Sequence, residues 1–246
     1  VDISVNKAKK ALPKMPHARD RVRLPIFLAI GLMAALPAVL TGICCDAAAA
    51  TPEFHIEARR VLDTPAPATD RGQHALTLTL VDIGGWNEAE IREAATVAAR
   101  ILAQCSLRIT EAEWLRIRVP ASHRDFHTPR SRELAQALGL RKPTVYFAAG
   151  TRQVPAFDAE AIGRGNSRTR PELADTVWIA RGARDLGITL AHELVHVLMD
   201  SGEHVNAPGN LMAAETSPEN TRLTPAQCAR ITATGTRNGL LQPGVD

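Results

Sequence analysis

The chain reads as an α/β (α+β) domain built on a twisted, mostly parallel sheet, and three observations predict it. Apolar stretches of strand length recur at 74–83, 113–119, 144–149 and 175–180. Helical spacing of apolar residues separates the first from the second, and a shorter helical stretch separates the second from the third. After the fourth comes a helix apolar nearly all round, then an irregular stretch and a C-terminal helix. Strands alternating with helices call for a sheet with helices on its faces, here with the apolar helix packed on one of them. The residues after position 50, just under two hundred, suffice for one domain with its own core.

Each element follows from local residues. His74 to Ile83 alternates Leu with Thr and is broken by Gly84 and Gly85. Asn87 caps a helix from Glu88 to about Gln104, with Ile91, Ala94, Ala95, Ala98, Ile101 and Leu102 at helical spacing. Glu113 to Val119 forms a strand with Trp114, Arg116 and Arg118 on one face and Leu115, Ile117 and Val119 on the other. From Ala121 to Pro129 the chain is expected to be a solvated loop or a single helical turn. His123 and His127 lie there four residues apart, but flanking prolines and thin apolar support argue against a metal pair. A short helix from Arg132 to Leu140 closes at Gly139, and Thr144 to Ala149 is a buried strand. Phe157 to Ser167 reads as a broken edge strand in which Gly163 and Gly165 leave backbone exposed; its Gly-Arg-Gly-Asn is too short for a phosphate loop. Asp175 to Ala180 is the last strong strand, and the C-terminal helix runs from Thr224 to about Thr232.

The head of the chain differs in kind. Residues 1–23 hold seven Lys/Arg against two Asp/Glu, and Leu24 to Cys45 carries no charge. Asp46 then precedes a run of small residues. A basic segment, an apolar segment and small residues together predict a secretory signal over residues 1–50, with a membrane anchor through residues 24–45 as the alternative. Acylation of Cys44 or Cys45 fits the flanking residues poorly. A Pro-rich lead over 51–73 is expected to follow. The whole chain is +3, but without residues 1–23 it holds twenty-two Lys/Arg against twenty-four Asp/Glu. The basic balance therefore belongs to the targeting segment, and no nucleic-acid partner follows from it. Export, periplasmic or secreted, makes the two remaining cysteines, Cys105 and Cys228, a natural disulfide pair tying the last helix to the first.

The chemistry is concentrated between Gly187 and Ala213. His192, Glu193 and His196 form H-E-x-x-H on the apolar helix. Residues four apart share a helical face, so the two imidazoles can meet one metal ion, with Glu193 displaced to reach a bound water. An apolar helix predicts burial, and two buried imidazoles without a partner are costly. His204 follows a turn containing Gly202 and is a candidate third ligand. Asp200, expected to continue on the helix, is either the competing ligand or an acceptor that fixes an imidazole tautomer.

This helix, with the later His and Asn210-Leu211-Met212, resembles the metzincin clan of zinc endopeptidases, whose pattern is H-E-x-x-H-x-x-G-x-x-H before a Met-turn. The resemblance implies a metzincin-like zincin domain over roughly Leu76 to Ile231. It implies one catalytic Zn²⁺, His192 and His196 as ligands, Glu193 as general base and Met212 as the Met-turn residue. Only His192 to Met212 carries specific motifs. The pattern's Gly would fall at Met199 and its third His at Gly202; here Gly202 and His204 come later, a delay close to one extra helical turn.

On this reading residues 74–246 are a monomeric zinc metallopeptidase domain acting on peptide or protein, anchored outside the cytoplasm if the signal is retained. An edge strand over Ile162, Gly163, Arg164, Gly165 and Asn166 would hold the substrate backbone. Some metzincin-like enzymes place a Tyr near the Met-turn; Tyr146 is the only Tyr in this chain and the oxyanion donor is not identified. A zinc-dependent amidase acting on cell-wall material and a catalytically idle envelope zinc-binding module are the alternatives. Glu193 argues against the latter, because a structural site has no use for that carboxylate.

Overall fold

In a computed structural model, residues 53–63 and 73–244 can be described. The expected signal or anchor, with Cys44 and Cys45, and the prolines of the lead lie outside these residues. Among the described residues no helix is long and apolar enough to cross a membrane.

The fold is α/β. Strands β1 (His55–Leu62), β2 (His74–Asp82), β3 (Leu107–Arg118), β5 (Thr144–Phe147), β7 (Ala159–Ile162) and β8 (Thr176–Ile179) form one sheet in the order β1-β3-β2-β5-β8-β7. The four inner strands are parallel, and β1 and β7 close the two edges antiparallel. A short β9 (Leu241–Pro243) pairs antiparallel with the start of β2. Strands β4 (Asp125–Phe126) and β6 (Gly150–Thr151) pair separately.

Both sheet faces are covered, which is why the inner strands are apolar on both sides. One face holds Leu76, Leu78, Leu80, Val145, Phe147, Val177 and Ile179, covered by α1 (Glu88–Leu102), α3 (Leu186–Met199) and α4 (Pro225–Arg237). The other packs Val81, Leu115, Ile117, Tyr146 and Trp178 against Leu134 and Ala135 of α2 (Thr128–Leu138). Helix α1 starts in a capping box, with Asn87 accepting from Ala89 and Glu90 accepting from the Asn87 N–H. Helix α2 begins at Thr128, four residues before its expected start, with Pro129 accommodated in its first turn; Gly139, at φ +52°, ends it.

Three expectations are corrected. Residues 55–62, placed in the Pro-rich lead, are the outer strand β1. Its side chains are mostly exposed, so no apolar alternation marks it; Arg59 pairs with Glu113 and Arg118 with Glu57 across the edge. Strand β3 starts six residues earlier than expected because a bulge interrupts its pairing with β2 between Leu76 and Thr77. The extra residue puts Leu107 and Ile109 out of step with Ala112 and Trp114, although all four are buried, and hides the period. Of the two readings for Ala121 to Pro129, the structure has the single turn, a short 3₁₀ turn that His123 ends, but His123 is buried in it rather than solvated, with Nε2 3.0 Å from Glu133. His127 stands at the N-cap position of α2, where its side chain makes no capping hydrogen bond.

Cys105, in the 3₁₀ turn after α1, is disulfide-bonded to Cys228 in α4, with Cα atoms 4.8 Å apart. Closing a loop with a sequence separation of 123 removes much conformational freedom from the unfolded chain. A Cys105→Ser/Cys228→Ser variant is expected to lose about 2–5 kcal/mol in denaturant unfolding. A loss below about 0.5 kcal/mol would contradict a stabilising role.

Candidate metal centre

Helix α3 is buried from Gly187 to Met199 between the sheet, α1 and α4. Such depth demands close approach at its start: a Cβ at Gly187 would stand 2.4 Å from Cβ of Val97 in α1. The helix ends at Asp200, whose φ of +48° turns the chain while its N–H caps His196 and Val197 carbonyls. Asp200 therefore does not continue on the helix, and no extra turn is inserted before Gly202. Asp tolerates the left-handed region better than most residues, and here its side chain is also held. Its Oδ1 accepts from the Gly165 N–H at 3.0 Å. Gly163 makes room for it, since a Cβ there would lie 2.6 Å from that oxygen.

The turn at Asp200 sends the chain back across the helix and brings His204 to the other two histidines. The Nε2 atoms of His192 and His196 are 3.0 Å apart, and Nε2 of His204 is 3.2 Å from each. Nitrogen ligands about 2.0–2.1 Å from a tetrahedral ion stand roughly 3.3 Å apart, so three corners of such a polyhedron are already formed. Asp200 is not a member of this group, which among the described residues comprises the three histidines.

The hydrogen bonds on the far side of the rings decide what these nitrogens present. His192 Nδ1 donates to the Leu211 carbonyl at 2.7 Å, and His196 Nδ1 donates to the Ser201 carbonyl at 2.6 Å. A carbonyl only accepts, so Nδ1 carries the proton in both rings and a neutral ring offers a lone pair at Nε2. Burial lowers both pKa values, that of His196 to about 4, with the neighbouring imidazole adding to the effect there. Two lone pairs thus face each other in a buried place that disfavours a proton. A divalent cation between them relieves that repulsion, and the donor set fits zinc. The tautomers are fixed by Leu211 and Ser201, not by Asp200 as one expectation had it.

Glu193 is 8% exposed and faces the same cleft, about 500 Å³ in volume, that the three imidazoles line. Burial pushes its pKa up to about 8, the charge of Glu160 adds to this, and a hydrogen bond from the Ala161 backbone opposes it. Met212 is fully buried in the core beside α3, and its carbonyl accepts from Val205 N–H, stitching the His204 segment to the Asn210-Leu211-Met212 bend.

Within the expected broken edge strand Phe157 to Ser167, the paired edge lies three to four residues before the expected Ile162 to Asn166. Strand β7 covers Ala159 to Ile162, and Ile162 is its buried last residue. The Asp158 carbonyl accepts from Ala180 N–H, and Glu160 and Ile162 continue that alternation against β8. The N–H and C=O of Ala159 and Ala161 therefore face outward. Gly163, Gly165 and Asn166 line the cleft, but Gly165 N–H is taken by Asp200. Arg164 instead contacts Asp175 and the Asn238 carbonyl. Tyr146 stacks on Trp178 in the other core, where burial raises its pKa, and has no part in the cleft.

Sequence reasoning missed the Leu211 and Ser201 carbonyls, backbone groups without a side-chain signature. It also missed the Asn210–Gln227 contact, although Thr224-x-x-Gln227 is a readable capping box.

No family model and no curated protein matches the chain. Among solved structures, the crystal structure of metalloproteinase-II from Bacteroides fragilis is similar to it, at 18% identity and a TM-score of 0.46. The match covers 68% of this chain and 55% of the other, so the chain spans little more than half of that protein. A likeness this distant assigns no activity, and the reading rests on the site itself.

Chelator-treated protein is expected to show a pH signature. A Glu193 pKa raised from 4.5 to about 8 contributes stability below 4.5 that is lost as pH rises through 8. A His196 pKa lowered from 6.5 to about 4 contributes stability above 6.5 that is lost as pH falls through 4. In chelator-treated protein, the melting temperature of Glu193→Gln relative to wild type should rise between pH 5 and pH 8. Parallel curves would contradict the burial of an uncompensated carboxyl group.

Proposed function

We propose that this protein is an exported zinc-dependent endopeptidase of metzincin type, with His192, His196 and His204 as ligands, Glu193 as general base and Met212 as the Met-turn residue. One observation carries the reading: three Nε2 atoms converge within 3.2 Å, two with Nδ1 tied to carbonyls, beside a buried carboxyl group on an open cleft. A zinc ion there supplies Lewis acidity and lowers the pKa of water.

The chain's own residues do the rest. Glu193, one residue round the helix from His192, would be ionised where a neighbouring cation offsets the burial that raises its pKa, and would then take a proton from the attacking water on its carboxylate and hand it to the departing amine. The outward N–H of Ala159 and the C=O groups of Ala159 and Ala161 offer an extended peptide a strand to pair with, which would lay its backbone along the cleft. The disulfide supports export, because such bonds persist in oxidising compartments.

The test is hydrolysis of casein-like protein and of peptidoglycan by the exported domain, with and without chelator. Chelator-sensitive cleavage of the protein substrate is expected. Cleavage confined to peptidoglycan would make the enzyme an amidase, and hydrolysis indifferent to chelator would overturn the reading.

A further inference from the structure

One buried contact lies outside the cleft yet ends on a metal-site nitrogen. The Leu211 carbonyl that receives His192 Nδ1–H sits in the middle of the bend Asn210-Leu211-Met212. Asn210 is itself buried, and its side chain makes a reciprocal amide pair with Gln227 of α4. Asn210 Nδ2 donates to Gln227 Oε1, and Gln227 Nε2 donates to Asn210 Oδ1, both at 3.0 Å.

Neither amide is free to turn over. Asn210 Oδ1 also accepts from Met212 N–H at 2.9 Å, so the oxygen is fixed on that side of the bend. Gln227 Oε1 also accepts from Thr224 N–H at 2.8 Å, as the N3 residue of the α4 capping box. Each oxygen is committed to a backbone donor, and only one orientation of the pair satisfies all four hydrogen bonds. The bend thus has two anchors besides Asn210: Leu211 N–H donates to the Arg222 carbonyl, and Val205 N–H reaches the Met212 carbonyl.

We infer that Gln227 is a positioning residue of the metal centre, holding Asn210 so that the Leu211 carbonyl fixes the His192 ring with Nε2 toward the other imidazoles. The inference rests on the proposed role of His192 as a ligand. Loss of the group that receives a ligand's N–H, here the Leu211 carbonyl, commonly changes metal affinity ten- to a hundredfold by freeing the ligand's orientation and tautomer, and Gln227, acting on that carbonyl through Asn210, is expected at the lower end.

Two variants separate this role from support of the helix. In Gln227→Glu the capping box survives, since a carboxylate still accepts from Thr224 N–H and Asn210 Nδ2. Its second oxygen, however, faces Asn210 Oδ1 with no proton between them, and the bend is pushed off its place. In Thr224→Ala the hydroxyl cap is lost while the backbone donor to residue 227 remains. Competitive Zn²⁺ titration, visible spectra of the Co²⁺ form and melting of the chelated proteins are measured for both and for wild type.

Gln227→Glu is expected to weaken zinc about tenfold and to shift the Co²⁺ bands, and its chelated form to melt about as far below wild type as that of Thr224→Ala, so that affinity and melting part company between the two variants. Thr224→Ala is expected to melt about 2–4 °C lower and to hold zinc within about twofold of wild type. Equal zinc affinity and unchanged Co²⁺ bands in Gln227→Glu would overturn the inference, as would losses of affinity that simply follow melting temperature in both variants. Failure of wild type to bind either metal would overturn the metal reading itself, and this inference with it.

Discussion

Replacing Glu193 by Gln is expected to leave zinc in place and to lower peptide hydrolysis at least about a hundredfold. The side chains have nearly the same shape, so the amide fills the buried place of the carboxyl group on the cleft wall. What is lost is the ability to take a proton from water and return it to the leaving nitrogen. None of the three imidazoles replaces it: His192 and His196 have Nδ1 bonded to carbonyls, and their Nε2 atoms are the proposed ligand atoms, with that of His204. The measurement is the steady-state rate on a cleavable peptide, made on samples of matched zinc content. Hydrolysis near the wild-type rate would remove Glu193 from the mechanism.

The second large effect concerns the third ligand. His204→Ala leaves two imidazoles, one short of the usual catalytic zinc shell, and is expected to weaken zinc more than the hundredfold typical of outer-shell changes. Asp200→Asn should stay within about tenfold. An Asn also accepts the left-handed conformation and the Gly165 N–H, the two things asked of Asp200. The two variants are compared by competitive zinc titration, with His196→Ala as the reference. If Asp200→Asn loses more zinc than His204→Ala, Asp200 is the ligand and the turn rearranges on binding.

Side-chain periodicity made much of this fold legible. Alternating Leu and Thr marked β2, the Asn87 cap placed the start of α1 to the residue, and the apolar α3 announced its own burial. The convergent histidines were legible too, because i, i+4 spacing on a helix is a geometric statement. Elements went unread where backbone context replaces a side-chain signal. Strand β1 is held by hydrogen bonds and edge charges on an exposed surface, and the bulge in β3 is created by its pairing with β2. At the site, the turn was assigned to Gly202, since glycine is the usual left-handed residue. Asp200 takes that conformation because Gly163 and Gly165 receive its carboxylate, a contact between segments far apart in sequence. The carbonyls that fix the two rings belong to Leu211 and Ser201, and any residue supplies a carbonyl.

The central claim is that His192, His196 and His204 hold one zinc ion. Elemental analysis of the purified exported domain, loaded with zinc and dialysed against metal-free buffer, tests it most directly beside a His192→Ala/His196→Ala/His204→Ala variant. The predicted result is one zinc per chain in the wild type and essentially none in the variant; no retained zinc in the wild type, or equal zinc in both, would contradict it.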